Sequence, residues 1–559
     1  MSLVADKRVR ILCIVALFGL TAALLSFGLA RLALLDPDEA RYAQTSREML
    51  ERDDYVVPYF DGEMRLKKPP LLHWAQIAAF RLLGVGEIGA RLPSVAACLG
   101  LLAVLLLFAR RQCGWGVALR AGAILVTCPL VFAAGRGGII DMTLCFFIAA
   151  ALFAYYAVDT AQIRPRPGTI LVGALLGAAV LAKGPVGFLA PLAVILTHHV
   201  LMREWRVFLR WRGFLLGAAT MTAVVAPWLL LVIHRVGYET FTSVALRETV
   251  ERYASTGLEH PHGPFFYVIV MALVAFPWSA FLVPCSVTGA FRYTRPGDRL
   301  GTFLWSWMVG MLVFFSLSKG KLASYVLPVL PAAALYLARE WESWTSTDRS
   351  DGARVRRTTA EWGISLALLV PAVALAFLVA GYDTMHSGSY ARHWLPFTVM
   401  GATILAFALL TSPRRWRWAL VPVIAAAVSV FYFHVLSVSL PDLDATKSLR
   451  QMVRELRLEE RRDTRLCVYL NFHPSLVFYT GRHVERADSR SQLEAFLKQP
   501  GDAVVVMDVR RHATLGDRWD QVFRQIGSQA DQLALEKRPE VTPELIDRLR
   551  AESKRRARP

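Results

Sequence analysis

The sequence predicts an α-helical polytopic membrane protein with about thirteen transmembrane helices and a C-terminal α/β domain. Three observations lead to this fold class. The chain has 559 residues, of which 55% are apolar and 19% charged, so it is too hydrophobic for a soluble globule and too long for one domain. Its apolar runs are long enough to cross a bilayer. Near residue 438 the pattern changes to short strands that alternate with helices.

The apolar runs must each cover roughly 30 Å of hydrocarbon. They lie at about residues 11–34, 91–109, 117–134, 139–158, 169–182, 185–201, 214–233, 264–284, 301–317, 322–338, 361–381, 396–411 and 418–437. The first run lacks a clear cleavage site and is expected to be a retained span. The run Leu71 to Leu83 is shorter and carries polar residues, which predicts an interfacial helix that does not cross the membrane.

The arginine distribution then sets the orientation. If the interfacial helix does not cross, the arginine-rich loops share the side of the N-terminus, which the positive-inside rule assigns to the cytoplasm. This placement explains the net charge of +19 and argues against nucleic acid as a partner. We therefore expect a transmembrane catalytic domain over 1–437, with periplasmic loops at 35–90 and 235–263. A soluble periplasmic α/β domain should follow over 438–559, with strands near 465–470 and 503–507.

An acidic cluster occupies residues 36–39, at the outer end of the first span. Carboxylates at a membrane surface are costly, which favours a functional site. Asp36 precedes a proline and is a candidate helix cap, so Asp38 and Glu39 remain available for chemistry. Asp141, at the mouth of the fourth span, is a second acidic candidate. Its alternative role is to cap the helix that follows it.

Basic residues lie on the same outer face, where positive-inside statistics disfavour them. They are Lys67, Lys68, Arg247, Arg252, Lys319 and Lys321. An anionic lipid phosphate is the ligand that such residues would recognise. The alternative for any one of them is that its charged end reaches the headgroup level without binding a specific ligand.

A third cluster could hold a divalent metal. Glu259, His260 and His262 stand just before the eighth span. Histidine and carboxylate side chains bind zinc, magnesium or manganese, but no third strong ligand follows at a diagnostic spacing. The sequence leaves open whether any metal is required.

Several short motifs resemble one family. They are LDPDEARY at 35–42, LKKPPLLHW at 66–74, GARLPS at 89–94, AKGP at 182–185, FFSLSK at 314–319 and YVLP at 325–328. Together they resemble the protein mannosyltransferase-like GT-C glycosyltransferases. Within these, the chain is most similar to the 4-amino-4-deoxy-L-arabinose transferases that modify lipid A in Gram-negative bacteria. The likeness extends over residues 1 to about 440.

The resemblance implies a monomeric inner-membrane enzyme with an undecaprenyl-phosphate-linked sugar as donor, lipid A as acceptor and a periplasmic active site. It further implies resistance to polymyxin and other cationic peptides. Asp38 would be the catalytic carboxylate, with Glu39 beside it and Asp141 as a second acid. The implied donor- and phosphate-binding residues are Arg41, Tyr42, Lys67, Lys68, Lys183, Arg247, Arg252, Lys319, Lys321 and Tyr325. Family members differ in metal dependence, so the resemblance assigns no obligatory cofactor.

The chemistry agrees with a lipid-borne donor, because the sequence has no Walker motif and no dinucleotide-binding motif. Direct displacement at the anomeric carbon inverts configuration and needs only one well-placed carboxylate. That carboxylate acts as a base if the acceptor is a hydroxyl. It instead pairs with the sugar's ammonium if the acceptor is a phosphate. Two alternatives remain, a protein O-mannosyltransferase and a lipid transporter or flippase.

Overall fold

The computed structural model describes residues 6–204, 211–246, 263, 265–279, 281–282, 298–318, 320–345, 420–439, 444 and 446–556. The chain forms two compact units, each assembled from separate segments. The first contains Met1–Leu29, Leu66–Ala75 and Arg91–Val438. The second contains Ala30–Arg65, Gln76–Ala90 and Ser439–Pro559.

Helices dominate the described residues up to 439. In chain order they are α1 Lys7–Ser26, α2 Asp38–Glu51, α3 Leu71–Leu83, α4 Glu87–Cys113, α5 Trp115–Val126, α6 Pro129–Arg136, α7 Ile140–Asp159, α8 Pro165–Lys183, α9 Val186–Met202, α10 Trp211–Val236, α11 Tyr238–Leu246, α12 Phe266–Val274, α13 Arg299–Ser316, α14 Leu330–Thr345 and α15 Leu420–His434. A 3₁₀ helix, Ala323–Val329, precedes α14. A short two-stranded sheet pairs β1, Tyr59–Phe60, with β2, Glu63–Met64.

Among the described residues, seven helices are long and apolar enough to cross a membrane. An eighth span results if α5 and α6, which are bent by 68° relative to each other, cross as one unit. These findings confirm a polytopic helical fold. The predicted spans at 361–381 and 396–411 lie outside the described residues. The predicted interfacial helix is present as α3, with 13 residues.

Small residues bring α8 and α10 of the first unit close together. α8 packs against both α7 and α10. A Cβ atom added at Gly173 of α8 would lie 2.4 Å from the carbonyl oxygen of Gly217 in α10, and Gly177 is similarly confined by Val224. Close backbone approach at glycine is a common basis of helix packing in membranes, where no hydrophobic effect drives helices together.

A buried arginine fixes the end of α1. Arg136, the last residue of α6, is 6% exposed. Its guanidinium donates hydrogen bonds to the carbonyl oxygens of Leu24, Leu25 and Phe27 at 2.6–2.9 Å. These carbonyls belong to the last turn and the C-cap of α1, where the helix itself supplies no N–H donors, so Arg136 satisfies acceptors at the end of the helix.

The C-terminal segment of the second unit contains a mixed sheet. Its strands are β3 Arg465–Tyr469, β4 Glu485–Ala487, β5 Ala503–Asp508, β6 Phe523–Gln529 and β7 Gln532–Lys537. Its helices are α16 Arg450–Glu455, α17 Pro474–Thr480, α18 Arg490–Lys498, α19 Val509–Leu515 and α20 Pro543–Arg556. The strand order is β4-β3-β5-β7-β6, with the first three strands parallel and the last two antiparallel to their neighbours.

The two faces of this sheet build two cores. Val505 and Cys467 point into one core, together with Phe496 of α18, and Val504 and Val506 point into the other. This alternation is the two-residue period of a strand that is buried on both faces. Burial also raises the pKa of the Cys467 thiol to about 12, because the thiolate would be desolvated.

The five-stranded sheet confirms the predicted sheet-containing C-terminal region.

Candidate active site

A cavity of about 130 Å³ lies within the first unit. Its polar lining consists of Lys68, Asp141, Lys183, Ser318, Ser324 and Tyr325. Its apolar lining consists of Leu144, Pro185, Val186, Leu189, Phe314, Phe315 and Pro328. A lining that combines lysines with aliphatic and aromatic groups suits an amphiphile with an anionic head and a hydrocarbon tail.

Two consecutive helices place Asp141 and Lys183 opposite each other. α7 has 20 residues and α8 has 19, and the short connection between these packed neighbours makes them antiparallel. The first turn of α7 therefore lies beside the last turn of α8. An acid at a helix N-terminus and a base at a C-terminus are both favoured by the helix dipoles. The N-cap of α7 is Ile139, and Asp141 occupies the first turn.

Lys183 is held by two kinds of contact. Its Nζ donates a hydrogen bond to Oδ1 of Asp141, and each of the two side chains is 15% exposed. The same Nζ lies 4.8 Å from the centroid of the Tyr325 ring, a distance at which a cation–π attraction operates. The Tyr325 ring in turn lies 5.5 Å from that of Phe315. These contacts hold the Lys183 ammonium in position on the cavity lining.

The other predicted lysines occupy different positions. Lys68 is half-buried and lines the cavity, whereas the neighbouring Lys67 is exposed. Lys321 is buried, with 6% exposure, and does not line the cavity. Arg247, Arg252 and Lys319, and the possible metal ligands Glu259, His260 and His262, lie outside the described residues.

The acidic cluster of residues 36–39 belongs to the second unit. Asp38 begins α2, its side chain is 60% exposed, and Arg41 approaches it at 3.4 Å. Glu39 is only 5% exposed, and its Oε2 accepts a hydrogen bond from the backbone N–H of Leu35 at 2.9 Å. Tyr42 is also buried. Asp38 is therefore the more accessible of the two carboxylates proposed for chemistry.

Asp36 differs from the expectation that it caps α2. The N-cap of α2 is Pro37, with no side-chain hydrogen bond. The Asp36 carboxylate instead accepts hydrogen bonds from the backbone N–H and the hydroxyl of Ser475, at the start of α17. It caps a helix about 440 residues later in the chain, which local sequence patterns do not reveal.

A different cluster has the ligand types of a metal site. Asp159, His199 and Glu204 place one ligand atom each within 4.8 Å of one another. Arg299 donates to Oδ2 of Asp159 at 2.7 Å and to both Glu204 oxygens at 2.7 and 2.8 Å. Burial alone would raise the pKa of Glu204, but the hydrogen bonds and charge of Arg299 outweigh it and lower that pKa. Because Arg299 already supplies the positive charge, we assign this cluster a structural role.

Sequence reasoning had not selected Asp159 or Arg299, nor the apolar wall formed by residues such as Phe314 and Leu189. A carboxylate at the end of one apolar run and an arginine at the start of another were the available signal. Such pairs are too common at membrane boundaries to be specific.

Comparisons with known proteins agree on one family. The family model described as dolichyl-phosphate-mannose-protein mannosyltransferase matches residues 67–231. The undecaprenyl phosphate-alpha-4-amino-4-deoxy-L-arabinose arabinosyl transferase of Pseudomonas aeruginosa (strain UCBPP-PA14) is 30% identical over 452 residues, covering 77% of this chain and 79% of that protein. The protein of the same name from Erwinia tasmaniensis is 27% identical over 398 residues, covering 69% and 70%.

A solved structure extends the likeness to the whole fold. ArnT from Cupriavidus metallidurans, crystallised with undecaprenyl phosphate, superposes with a TM-score of 0.78 at 21% identity, over 96% of this chain and 99% of that chain. The fold and the comparisons define a multi-pass membrane glycosyltransferase of the GT-C class. The chain belongs to the family of undecaprenyl phosphate-alpha-4-amino-4-deoxy-L-arabinose arabinosyl transferases.

Proposed function

We propose that this protein transfers 4-amino-4-deoxy-L-arabinose from undecaprenyl phosphate to phosphate groups of lipid A. The observation that carries the proposal is the cavity of the first unit, in a chain that belongs to this family. Lys68 and Lys183 offer positive charge to a phosphate, and the apolar wall offers a surface for the first isoprenoid units.

The reaction is a single displacement. An oxygen of the lipid A phosphate forms a bond to the anomeric carbon of the sugar, and the bond from that carbon to the donor phosphate breaks. The electron pair leaves with undecaprenyl phosphate, which changes from a phosphodiester with one negative charge to a monoester with up to two. Positive groups near this phosphate therefore stabilise the transition state more than the bound donor, which is the requirement for catalysis.

The carboxylates have a different task from the lysines. A lipid A phosphate is already ionised near neutral pH, so the acceptor needs no base. We assign Asp38 as the catalytic carboxylate, with Glu39 as a supporting neighbour, because the resemblance assigns the first-loop acid this role and because Asp38 is accessible. Its proposed function is to stabilise the positive charge that develops on the sugar ring as the bond to the donor phosphate breaks.

The proposed location follows from the arginine distribution. We place the protein in the bacterial inner membrane with its N-terminus in the cytoplasm, and we place the reaction on the periplasmic face. Each transferred sugar adds an ammonium to lipid A and offsets one phosphate charge. Cationic peptides such as polymyxin bind such a surface less strongly, so the activity would confer resistance to them.

The test is a transfer assay with purified protein in proteoliposomes. Undecaprenyl phosphate-aminoarabinose and lipid A are supplied, and mass spectrometry follows lipid A. We expect lipid A to gain one or more aminoarabinose residues, and to gain none with heat-inactivated protein. Lipid A of unchanged mass, despite folded protein and intact donor, would refute the proposal.

A second candidate function is supported by the family model, whose description names a protein mannosyltransferase and which matches residues 67–231. The same proteoliposomes should therefore also receive polyprenyl-phosphate mannose and a serine- and threonine-containing peptide. Mannosylated peptide together with unmodified lipid A would favour this second function.

A further inference from the structure

Lys183 is already neutralised before any phosphate is bound. Its Nζ donates to Asp141 Oδ1, and both side chains are 15% exposed, so water screens the pair only weakly. Among the described residues that line the cavity, the second cation is Lys68. The cavity therefore offers a phosphate one lysine that is paired with a carboxylate and a second lysine on its lining.

A phosphate that binds Lys183 comes close to Asp141. Two negative groups around one ammonium repel each other, and the repulsion is large where the local dielectric constant is low. The carboxylate must lose part of its interaction with Lys183 or find another cation. Asp141 thus opposes phosphate binding unless the ligand brings a positive charge of its own.

The donor and the spent carrier differ in this respect. The donor phosphodiester carries one negative charge, and its sugar carries an amino group that is largely protonated near neutral pH. The spent carrier has a phosphate monoester with up to two negative charges and no amine. Only the donor can offer Asp141 a replacement cation.

We infer that the Asp141 carboxylate and the ligand's phosphate compete for Lys183, so that Asp141 favours the aminoarabinose donor over spent undecaprenyl phosphate. This inference rests on the proposed function for the identity of the donor. Asp141 acts as a specificity-determining residue: the ammonium of the donor compensates the carboxylate, whereas the product is repelled. The same contact promotes release of the product and leaves the site open for the next donor.

The experiment measures binding rather than turnover. Wild-type protein, Asp141→Asn and Asp141→Ala are placed in nanodiscs and titrated with undecaprenyl phosphate and, separately, with undecaprenyl phosphate-aminoarabinose. Asp159→Asn is the matched control, because it makes the same change at the other end of α7. Thermal melting of each variant shows whether it is folded. If Asp141→Asn is not folded, Asp141→Ala takes its place in the titrations.

We expect the neutral variants to bind undecaprenyl phosphate roughly fivefold more tightly than the wild type, as expected for loss of one competing, partly exposed ion pair. The ratio of donor affinity to carrier affinity should fall toward one, and Asp159→Asn should leave both affinities unchanged. Unchanged or weaker carrier binding in the Asp141 variants would overturn the inference, because Asp141 would then serve to orient Lys183 for the phosphate.

The outcome is separate from that of the proposed function. Tighter carrier binding without sugar transfer to lipid A would preserve the competition and refute the function. Sugar transfer without any change in carrier binding would preserve the function and refute the competition.

Discussion

Asp36 and Ser475 form a helix cap between two distant parts of the second unit. The backbone N–H of Ser475 donates to Asp36 Oδ1 at 2.7 Å, and its hydroxyl donates to Oδ2 at 2.5 Å. His473 Nδ1 lies 3.2 Å from the same Oδ2. Ser475 is fully buried, and the Asp36 side chain is 10% exposed. Asp36 thus joins the first loop to the C-terminal segment, whereas Asp38, two residues later, is exposed.

Replacing Asp36 by alanine should destabilise the protein. The substitution removes the cap of α17 and leaves the buried Ser475 hydroxyl without this acceptor, which together cost about 2 kcal/mol. Thermal unfolding of the full chain in detergent should shift downward by several degrees. A variant that melts like the wild type would show that the cap contributes nothing to stability.

Asp38→Asn should abolish sugar transfer without lowering the stability of the protein. The exposed Asp38 side chain makes a 3.4 Å contact with Arg41, a surface pair of little value to stability. We predict a loss of transfer of at least about 100-fold, on the scale of a lost catalytic group, and an unchanged melting temperature. The transfer assay with lipid A measures the first and thermal unfolding the second. Retained transfer would remove Asp38 from the active site.

Lys67 and Lys68 should contribute differently to the binding of undecaprenyl phosphate. Lys68 lines the cavity and Lys67 does not. If Lys68 contacts the donor phosphate, Lys68→Met should weaken binding of undecaprenyl phosphate about tenfold, the value of one charge-assisted hydrogen bond. Lys67→Met should change binding less than about twofold, since it perturbs only a screened surface charge. Equal effects of the two variants would contradict this assignment.

The aromatic ring of Tyr325 should contribute more to the binding of undecaprenyl phosphate than its hydroxyl does. Lys183 Nζ lies 4.8 Å from the ring centroid, so Tyr325→Phe preserves the contact and Tyr325→Leu removes it. Loss of a cation–π contact costs about 1 kcal/mol, which corresponds to a roughly fivefold weakening of carrier binding. Titration of both variants with undecaprenyl phosphate tests whether Tyr325→Leu weakens binding more than Tyr325→Phe. Equal weakening by Tyr325→Phe would instead indicate a hydrogen bond from the hydroxyl.

Arg299 should be a structural residue. Arg299→Met would remove the guanidinium that now bridges the Asp159 and Glu204 carboxylates. Since the Arg299 side chain is 32% exposed, we expect a loss of about 2 kcal/mol, below the value for fully buried pairs. Arg299→Lys keeps the positive charge and should lose less stability than Arg299→Met. Unchanged thermal stability in Arg299→Met would refute the role.

The ion pair between Arg299 and Glu204 predicts that the stability of the protein depends on pH. Arg299 lowers the pKa of Glu204 in the folded protein, so the pair stabilises the fold above the usual glutamate pKa. This contribution is lost as the pH falls through the lowered folded value. Melting temperatures measured between neutral and acidic pH should therefore fall more for the wild type than for Arg299→Met. Parallel pH profiles would contradict this assignment.

Much of the fold was accessible to sequence reasoning because bilayer thickness sets the length of a span. α3 is found over the predicted residues Leu71–Leu83, and α7 begins and ends within one residue of the predicted run. Strands β3 and β5 of the C-terminal sheet were predicted from the change to alternating short strands and helices, whereas β4 was not predicted. β6 and β7 were not predicted, because residues such as Arg524, Gln525 and Gln529 hide the apolar alternation.

The cavity was harder to predict for a physical reason. The sequence suggested Asp141 and Lys183 separately, but their pairing depends on the nearly equal lengths of α7 and α8. The capping role of Asp36 depends on a partner more than 400 residues away. Contacts of this kind are set by tertiary packing, and single-sequence patterns carry only local information.

The most direct test is transfer of aminoarabinose to lipid A by the purified protein, with wild type and Asp38→Asn compared in the same proteoliposomes. Wild-type protein with undecaprenyl phosphate-aminoarabinose should increase the mass of lipid A by the sugar residue, and Asp38→Asn, equally folded, should not. Lipid A that stays unmodified with the wild type would contradict the proposed function, and equal modification by both proteins would contradict the role of Asp38.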